Sequence, residues 1–232
     1  MSNQTGKYFK YAIGEIILVV IGILIALQIN TWNQERINRK KERSYLVELK
    51  ASLESDQLQI QKVLDFNVAK DSIVVNLMRI FDSQLTNEER FEIIQSYATP
   101  FTEYEFFEPN STTWNNLLSA ENINLINDRT LRTYLTKYYA FDYDGSVQER
   151  IKIMNRKIID ENFPKFFTRE YAKRNLNLET DLPGIEEFDH HRNQTFLSDL
   201  FGVRFLIQMQ SEGLRDIAKE IDHMITLMDQ NI

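Results

Sequence analysis

The chain has no cysteine, which excludes disulfides, thiolate metal sites and thiol catalysis but leaves the compartment open. Histidine is almost as scarce, with only His190, His191 and His223. His190-His191 stand beside Glu186, Glu187 and Asp189, a set with nitrogen and oxygen donors for a divalent cation. Adjacent residues diverge on a helix, however, and the i, i+4 histidine spacing of a metalloprotease helix is missing, so the expected reading is a solvated polar loop. No GxSxG elbow, phosphate loop or GxGxxG turn occurs. The sequence therefore assigns no catalytic residue, metal or cofactor, and an enzyme would have to assemble its site from scattered residues. Asn110-Ser-Thr and Asn193-Gln-Thr match the glycosylation pattern, which is common by chance and carries no argument. An excess of positive charge is also lacking: the formal net charge is -7, which argues against nucleic acid as the main partner. Proline and glycine are absent from Gln34 to Phe81, so no helix breaker interrupts that stretch.

What is present is one long apolar run. Tyr11–Trp32, YAIGEIILVVIGILIALQINTW, covers about 33 Å as a helix, enough to cross a hydrocarbon core. Tyr8, Tyr11 and Trp32 lie where amphipathic rings sit at the headgroups, with Lys7, Lys10 and Arg36 just beyond. No small-x-small cleavage site follows, so the run reads as an uncleaved anchor in the lipid bilayer rather than a signal peptide. Arg36, Arg39, Lys40, Lys41 and Arg43 then form a basic stretch suited to anionic headgroups. Glu15 lies about one turn inside the span, where it is either an interfacial carboxyl or part of a contact. Glu15, Gly22, Ala26 and Asn30 share one helical stripe, and small or polar residues on a stripe are what helices use to pack in lipid, against a second copy or another protein.

With 232 residues, 43% of them hydrophobic, the remainder is long enough for a domain with a real core. Leu46, Leu49, Leu53, Ile60, Val63, Val74, Leu77 and Phe81 hold one coiled-coil-like heptad register, which also contains Asp56, Asn67 and Lys70. This predicts a stalk helix with a broken seam and a bend near Asn67. Thr86-Asn-Glu-Glu89 is a capping box for a helix to about Tyr97, closed by Pro100. Phe101, Tyr104, Phe106 and Phe107 follow in an irregular stretch, either as a binding surface or, more commonly, as a cover for the core. A short helix with Trp114, a turn tucking in Ile123, Leu125 and Ile126, a helix over Asp128–Tyr143 capped by Asn127, and another from a Ser146 cap to Pro164 are expected next. Asn175–Asp189 has loop composition. From Gln194 to Asp229 a second seam runs through Val203, Ile207, Leu214, Ile217, Ile221, Met224 and Met228, with Gln210 as its exception. Two such seams bury each other if the chain folds back, with Leu214, Ile217, Ile221 and Met224 against Leu46–Val63.

The expected architecture is all-α, with an N-terminal transmembrane helix continuing into a stalk and the C-terminal helix packed back antiparallel on a helical bundle. Its parts are a tail (1–10), a span (11–32), a stalk (33–82) and an extramembrane domain (83–232). The block KYFKYAIGEIILVVIGILIALQINTWNQER, Lys7–Arg36, resembles the N-terminal signature of single-pass Bacteroidota proteins grouped as domain-of-unknown-function family 6090. A second likeness lies at Thr113–Tyr139. The resemblance implies a bacterial inner-membrane protein with a helical extramembrane domain and no established activity. Counting basic residues alone puts the domain in the cytoplasm; the resemblance implies the reverse, and a periplasmic domain is the expectation. The leading functional expectation is an interaction or scaffold protein of the envelope. Its alternatives are a sensor-like module binding a ligand near Phe101–Phe107, and an enzyme.

Overall fold

The computed structural model describes residues 5–81, 83–187 and 193–232, the side chains at 5–12, 98–99, 163 and 166 excepted. Its described residues are mostly helical, with no strand among them. Helix α1 runs unbroken over Thr5–Phe81. Among the described residues it is the one helix long and apolar enough to cross a membrane. Side chains from Ile13 to Ile37 are exposed, and the first fully buried one is Leu46.

From Leu46 onward α1 is the spine of the bundle. Residues 46, 49, 53, 56, 60, 63, 67, 70, 74, 77 and 81 are each 4% exposed or less. A strict alternation of threes and fours keeps one stripe against its partner. The expected bend near Asn67 does not occur, because Asp56, Asn67 and Lys70 are buried with hydrogen-bond partners and do not interrupt the helix.

The partner is α8, Gln194–Asn231. It lies antiparallel: Lys50 Nζ meets Asp229 Oδ1 at 2.5 Å, Gln57 Nε2 meets Asp222 Oδ1 at 2.6 Å, and Arg204 Nε meets Asp71 Oδ1 at 2.8 Å. Leu214, Ile221, Met224 and Met228 are buried with Leu46–Val63, as the two seams predict, and Ile217 packs at the edge of the same cluster. Burying four such side chains contributes roughly 6–12 kcal/mol before the entropy of ordering is counted.

Two apolar clusters result. One joins Leu46–Val63 to Phe107, Trp114, Leu117, Leu131, Leu135, Tyr138 and the end of α8. The other joins Val74–Phe81 to Ile94, Phe101, Ile158 and the start of α8. Between them lies a polar layer around Asn67.

The remaining elements are short. Arg90 closes the end of α1 by donating to Ile80 O, a carbonyl of the last turn that the helix leaves unpaired, and to Ser83 O and Leu85 O in the connection that follows. The Thr86–Glu89 capping box starts α2, Asn87–Ser96, as the sequence predicts. Pro100 does not close it: α3, Ala98–Thr102, follows at once with Pro100 as its third residue, where a missing N–H costs nothing. Helix α4 is Thr112–Ser119, and α5 is Arg129–Ala140. Asp128 caps α5, not Asn127, because Asn127 is held by Glu42 of α1 through both its backbone N–H and its side chain. The predicted extension of α5 to Tyr143 fails at Phe141, which is extended. Ser146 does not cap α6, Glu149–Asn162: its hydroxyl donates to Tyr143 O within a wide turn over Asp144–Gln148. After the proline turn at Phe163–Phe166 comes α7, Arg169–Leu176. The expected loop over 175–189 contains a short helical turn at Ile185–Glu187 with Ile185 buried.

Candidate functional site

Between α3 and α4 the chain is extended, and its backbone cannot satisfy itself as a helix does. Buried amides and carbonyls need partners, and the polar interruptions of the two seams supply them. Lys70 Nζ donates to the carbonyls of Pro100, Phe101 and Glu103, the last at 2.8 Å. Its position over the rings of Phe101 (4.9 Å) and Tyr104 (4.0 Å) completes the site. Asn67 Nδ2 donates to Gln210 Oε1 at 2.9 Å, and Gln210 Nε2 donates to Glu105 O and Gln148 Oε1, both at 3.3 Å. Gln148 grips Phe107 from both sides, accepting from its N–H at 2.7 Å and donating to its carbonyl at 3.0 Å. Asp56 Oδ1 accepts from Asn110 N at 2.8 Å while its Oδ2 accepts from Tyr138 Oη at 2.7 Å.

Residues 103–110 thus form a strap running antiparallel to α1, anchored directly at Lys70 and Asp56 and, at Glu105, through the Gln210 that Asn67 holds. The lengths agree, since fourteen residues of helix and seven of extended chain each cover roughly 21–23 Å. Burial pushes the Lys70 amine down to about 7, with the Glu103 carboxylate opposing. Burial also raises Asp56, against the bonds from Asn110 and Tyr138. Tyr138 is pushed far up, by burial first and then by the Asp56 charge.

Behind the strap opens a cleft of about 550 Å³ lined by Phe106–Pro109, Ser111, Tyr139, Phe141–Asp144, Gln148 and Lys152. Phe107 and Tyr143 form its buried inner side, their rings edge-to-face at 5.2 Å, and Phe141 packs on Tyr143 at 4.8 Å. Tyr139 stacks on Trp114 at 5.2 Å, and its buried hydroxyl has no hydrogen-bond partner among the described residues. Lys152 pairs with Asp144 and lies 5.2 Å over the Phe106 ring. Asp142 accepts from Gly145 N at 2.8 Å, which holds the acidic turn in place.

The residues singled out from sequence fall in different places. Phe101 is in the core and Tyr104 roofs Lys70, whereas Phe106 and Phe107 line the cleft. Glu15, Gly22, Ala26 and Asn30 lie exposed on α1, and a Cβ at Gly22 meets nothing within 4 Å. Trp32 is exposed under the Arg36 guanidinium at 5.8 Å, Arg39 pairs with Glu35, and Lys40, Lys41 and Arg43 are exposed. The side chains of Lys7, Tyr8, Lys10 and Tyr11, and all of Asp189, His190 and His191, lie outside the described residues. Glu186 pairs with Arg169, and Glu187 accepts from Gly184 N. His223 packs edge-on against Tyr134 at 5.0 Å.

Sequence reasoning missed two features. The cleft's second wall, Tyr139–Asp144, shows in the sequence only as a helix end and a breaker. On α8, Phe201, Phe205 and Met209 are exposed in one i, i+4, i+8 row, and Phe205 shares a hollow with the exposed Ile153 of α6. An apolar row beside the seam was the available signal.

No curated protein and no solved structure matches the chain. The family of unknown function DUF6090 matches residues 15–177, taking in the apolar helix, the strap and the cleft, and the chain belongs to that family.

Proposed function

We propose that this chain is a membrane-anchored protein of the bacterial envelope that acts through protein contacts. The observation that carries this reading is the exposed apolar row Phe201, Phe205 and Met209, flanked by Ile153. A contiguous apolar row, unlike the apolar side chains exposed singly elsewhere on the bundle, is the usual mark of a docking face. Arg204 beside it bonds Asp71, and Asp71 lies roughly 58 Å beyond Trp32 along α1 at 1.5 Å per residue. The partner therefore reaches well away from the bilayer. The stripe Glu15, Gly22, Ala26 and Asn30 offers a second contact within it. The test is affinity capture from maltoside-solubilised membranes with wild type and with Phe201→Ser/Phe205→Ser. Both side chains are exposed, so the double variant folds. The expected result is a protein recovered with wild type and lost with the variant; repeated recovery of the chain alone, or of the same protein by both, overturns the reading.

The cleft behind the strap favours a second reading, a sensor-like module whose ligand is read out through a protein partner. Its volume of about 550 Å³ falls within the range of small-molecule sites.

A further inference from the structure

Resting on the second reading, we infer that the cleft binds a small, soluble organic cation bearing a protonated or quaternary ammonium group. Its walls are the rings of Phe106, Tyr139, Phe141 and Tyr143, whose faces carry negative charge density and attract cations. Its edge carries Glu108, Asp142 and Asp144 against the single cation Lys152. Lys152 is engaged by Asp144, and among the described residues Glu108 and Asp142 make no ion pair. This excess of negative charge repels phosphates and carboxylates and favours a cation.

The molecule already seats a cation of this kind. The Lys152 ammonium occupies the position over Phe106 while paired with a carboxylate, the combination by which aromatic cages hold ammonium ligands. The other rings and the carboxylates of Glu108 and Asp142 line the same cleft, where Lys152, the one cation of the lining, is shared between Asp144 and the field of Glu108.

The ligand is soluble, not a headgroup of the membrane in which α1 would sit. Asp56 fixes the level of the cleft through Asn110 and Tyr138. It stands roughly 36 Å beyond Trp32 along the helix at 1.5 Å per residue, out of reach of lipid in that bilayer.

Choline and its uncharged isostere 3,3-dimethyl-1-butanol test the assignment, titrated by ligand-observed NMR against the full chain in dodecyl maltoside, a detergent with no ammonium group. Choline should bind saturably and at least tenfold more tightly than the isostere. Phe141→Ala and Asp142→Asn should each weaken choline at least threefold. Lys152→Met keeps the aliphatic stem, removes the internal cation and should tighten choline at least threefold; unchanged or weaker binding there overturns the assignment, since damaged packing does not produce a gain. Equal binding of choline and the isostere also overturns it, yet leaves the ligand-binding module standing. No binding of either probe to wild type or Lys152→Met removes both.

Discussion

Lys70 should make the bundle's stability rise with pH above neutrality. The residue is 1% exposed, and its amine lies among the carbonyls of residues 100, 101 and 103. Burial lowers it from 10.5 to about 7. Between those values the unfolded chain carries the proton and the folded chain does not, so unfolding takes up a proton and stability climbs with pH. The slope is about 1.4 kcal/mol per pH unit, and the window supplies up to roughly 5 kcal/mol. Below pH 7 both states are protonated and the contribution is flat. Lys70→Met keeps the stem and removes the titration. The assay is urea unfolding of residues 40–232, which retain every described residue that is buried, followed by Trp114, the only tryptophan left in that piece. Other lysines and tyrosines titrate in both chains and cancel in the difference. Wild type should therefore gain on Lys70→Met steadily from pH 7 to 10. A difference constant to within about 0.5 kcal/mol over that range refutes the argument, and would mean that the carbonyls and rings stabilise the ammonium as much as burial penalises it.

Other perturbations separate the remaining parts of the structure. Tyr138→Phe takes a 2.7 Å hydrogen bond from the buried Asp56 and should cost about 1.5–3 kcal/mol in the same urea assay. Gly213 lies inside α8, and an added Cβ meets nothing within 4 Å, so Gly213→Ala should stabilise by about 0.5–1 kcal/mol and raise the melting temperature. In a membrane-helix association reporter carrying residues 8–34, Gly22→Ile should abolish signal while Val20→Ile leaves it intact; equal signals would count against a contact centred on Gly22. Cysteines at Ser2 and Asp181, probed with an impermeant thiol reagent on intact spheroplasts, should label at Asp181 for a periplasmic bundle, and labelling at Ser2 alone would reverse that orientation.

The long-range frame was legible because apolar spacing alone encodes it. The threes and fours from Leu46 to Phe81 and from Val203 to Met228 predict two helices that bury each other, and they do. Local boundaries were legible where one residue's chemistry decides them, as in the Thr86–Glu89 box. They were not where a distant residue decides. Asn127 and Asp128 are both good caps, and the choice falls to Asp128 because Glu42, far away in sequence, holds Asn127. Half of the cleft was legible in the same sense: Phe106 and Phe107 drew notice as aromatics in a loop. Tyr139, Phe141 and Tyr143 reach them through Gln148, whose two bonds to Phe107 and one to Tyr143 tie the walls together. A single glutamine in a turn leaves no pattern in sequence.

Asp56, Asn67, Lys70 and Gln210 look like flaws in two apolar seams, yet a seam without them would be less specific. A uniform stripe packs nearly as well after a slip of one heptad, since every apolar residue meets another. With Asn67 in place, a slip of seven residues along α8 sets it against Val203 or Ile217 in place of Gln210. Its amide then loses both of its side-chain partners, Gln210 and Ser211, at a cost of about 1–3 kcal/mol. Gln210 in turn loses Gln148 and Glu105 O. Asp56 and Lys70 extend the same logic along α1, because each is matched only by a strap of fixed length and direction. The register of the long hairpin and the placement of Phe107 at the inner side of the cleft are thus set by one group of side chains, so a substitution that loosens the hairpin at Asn67 should also disorder the cleft.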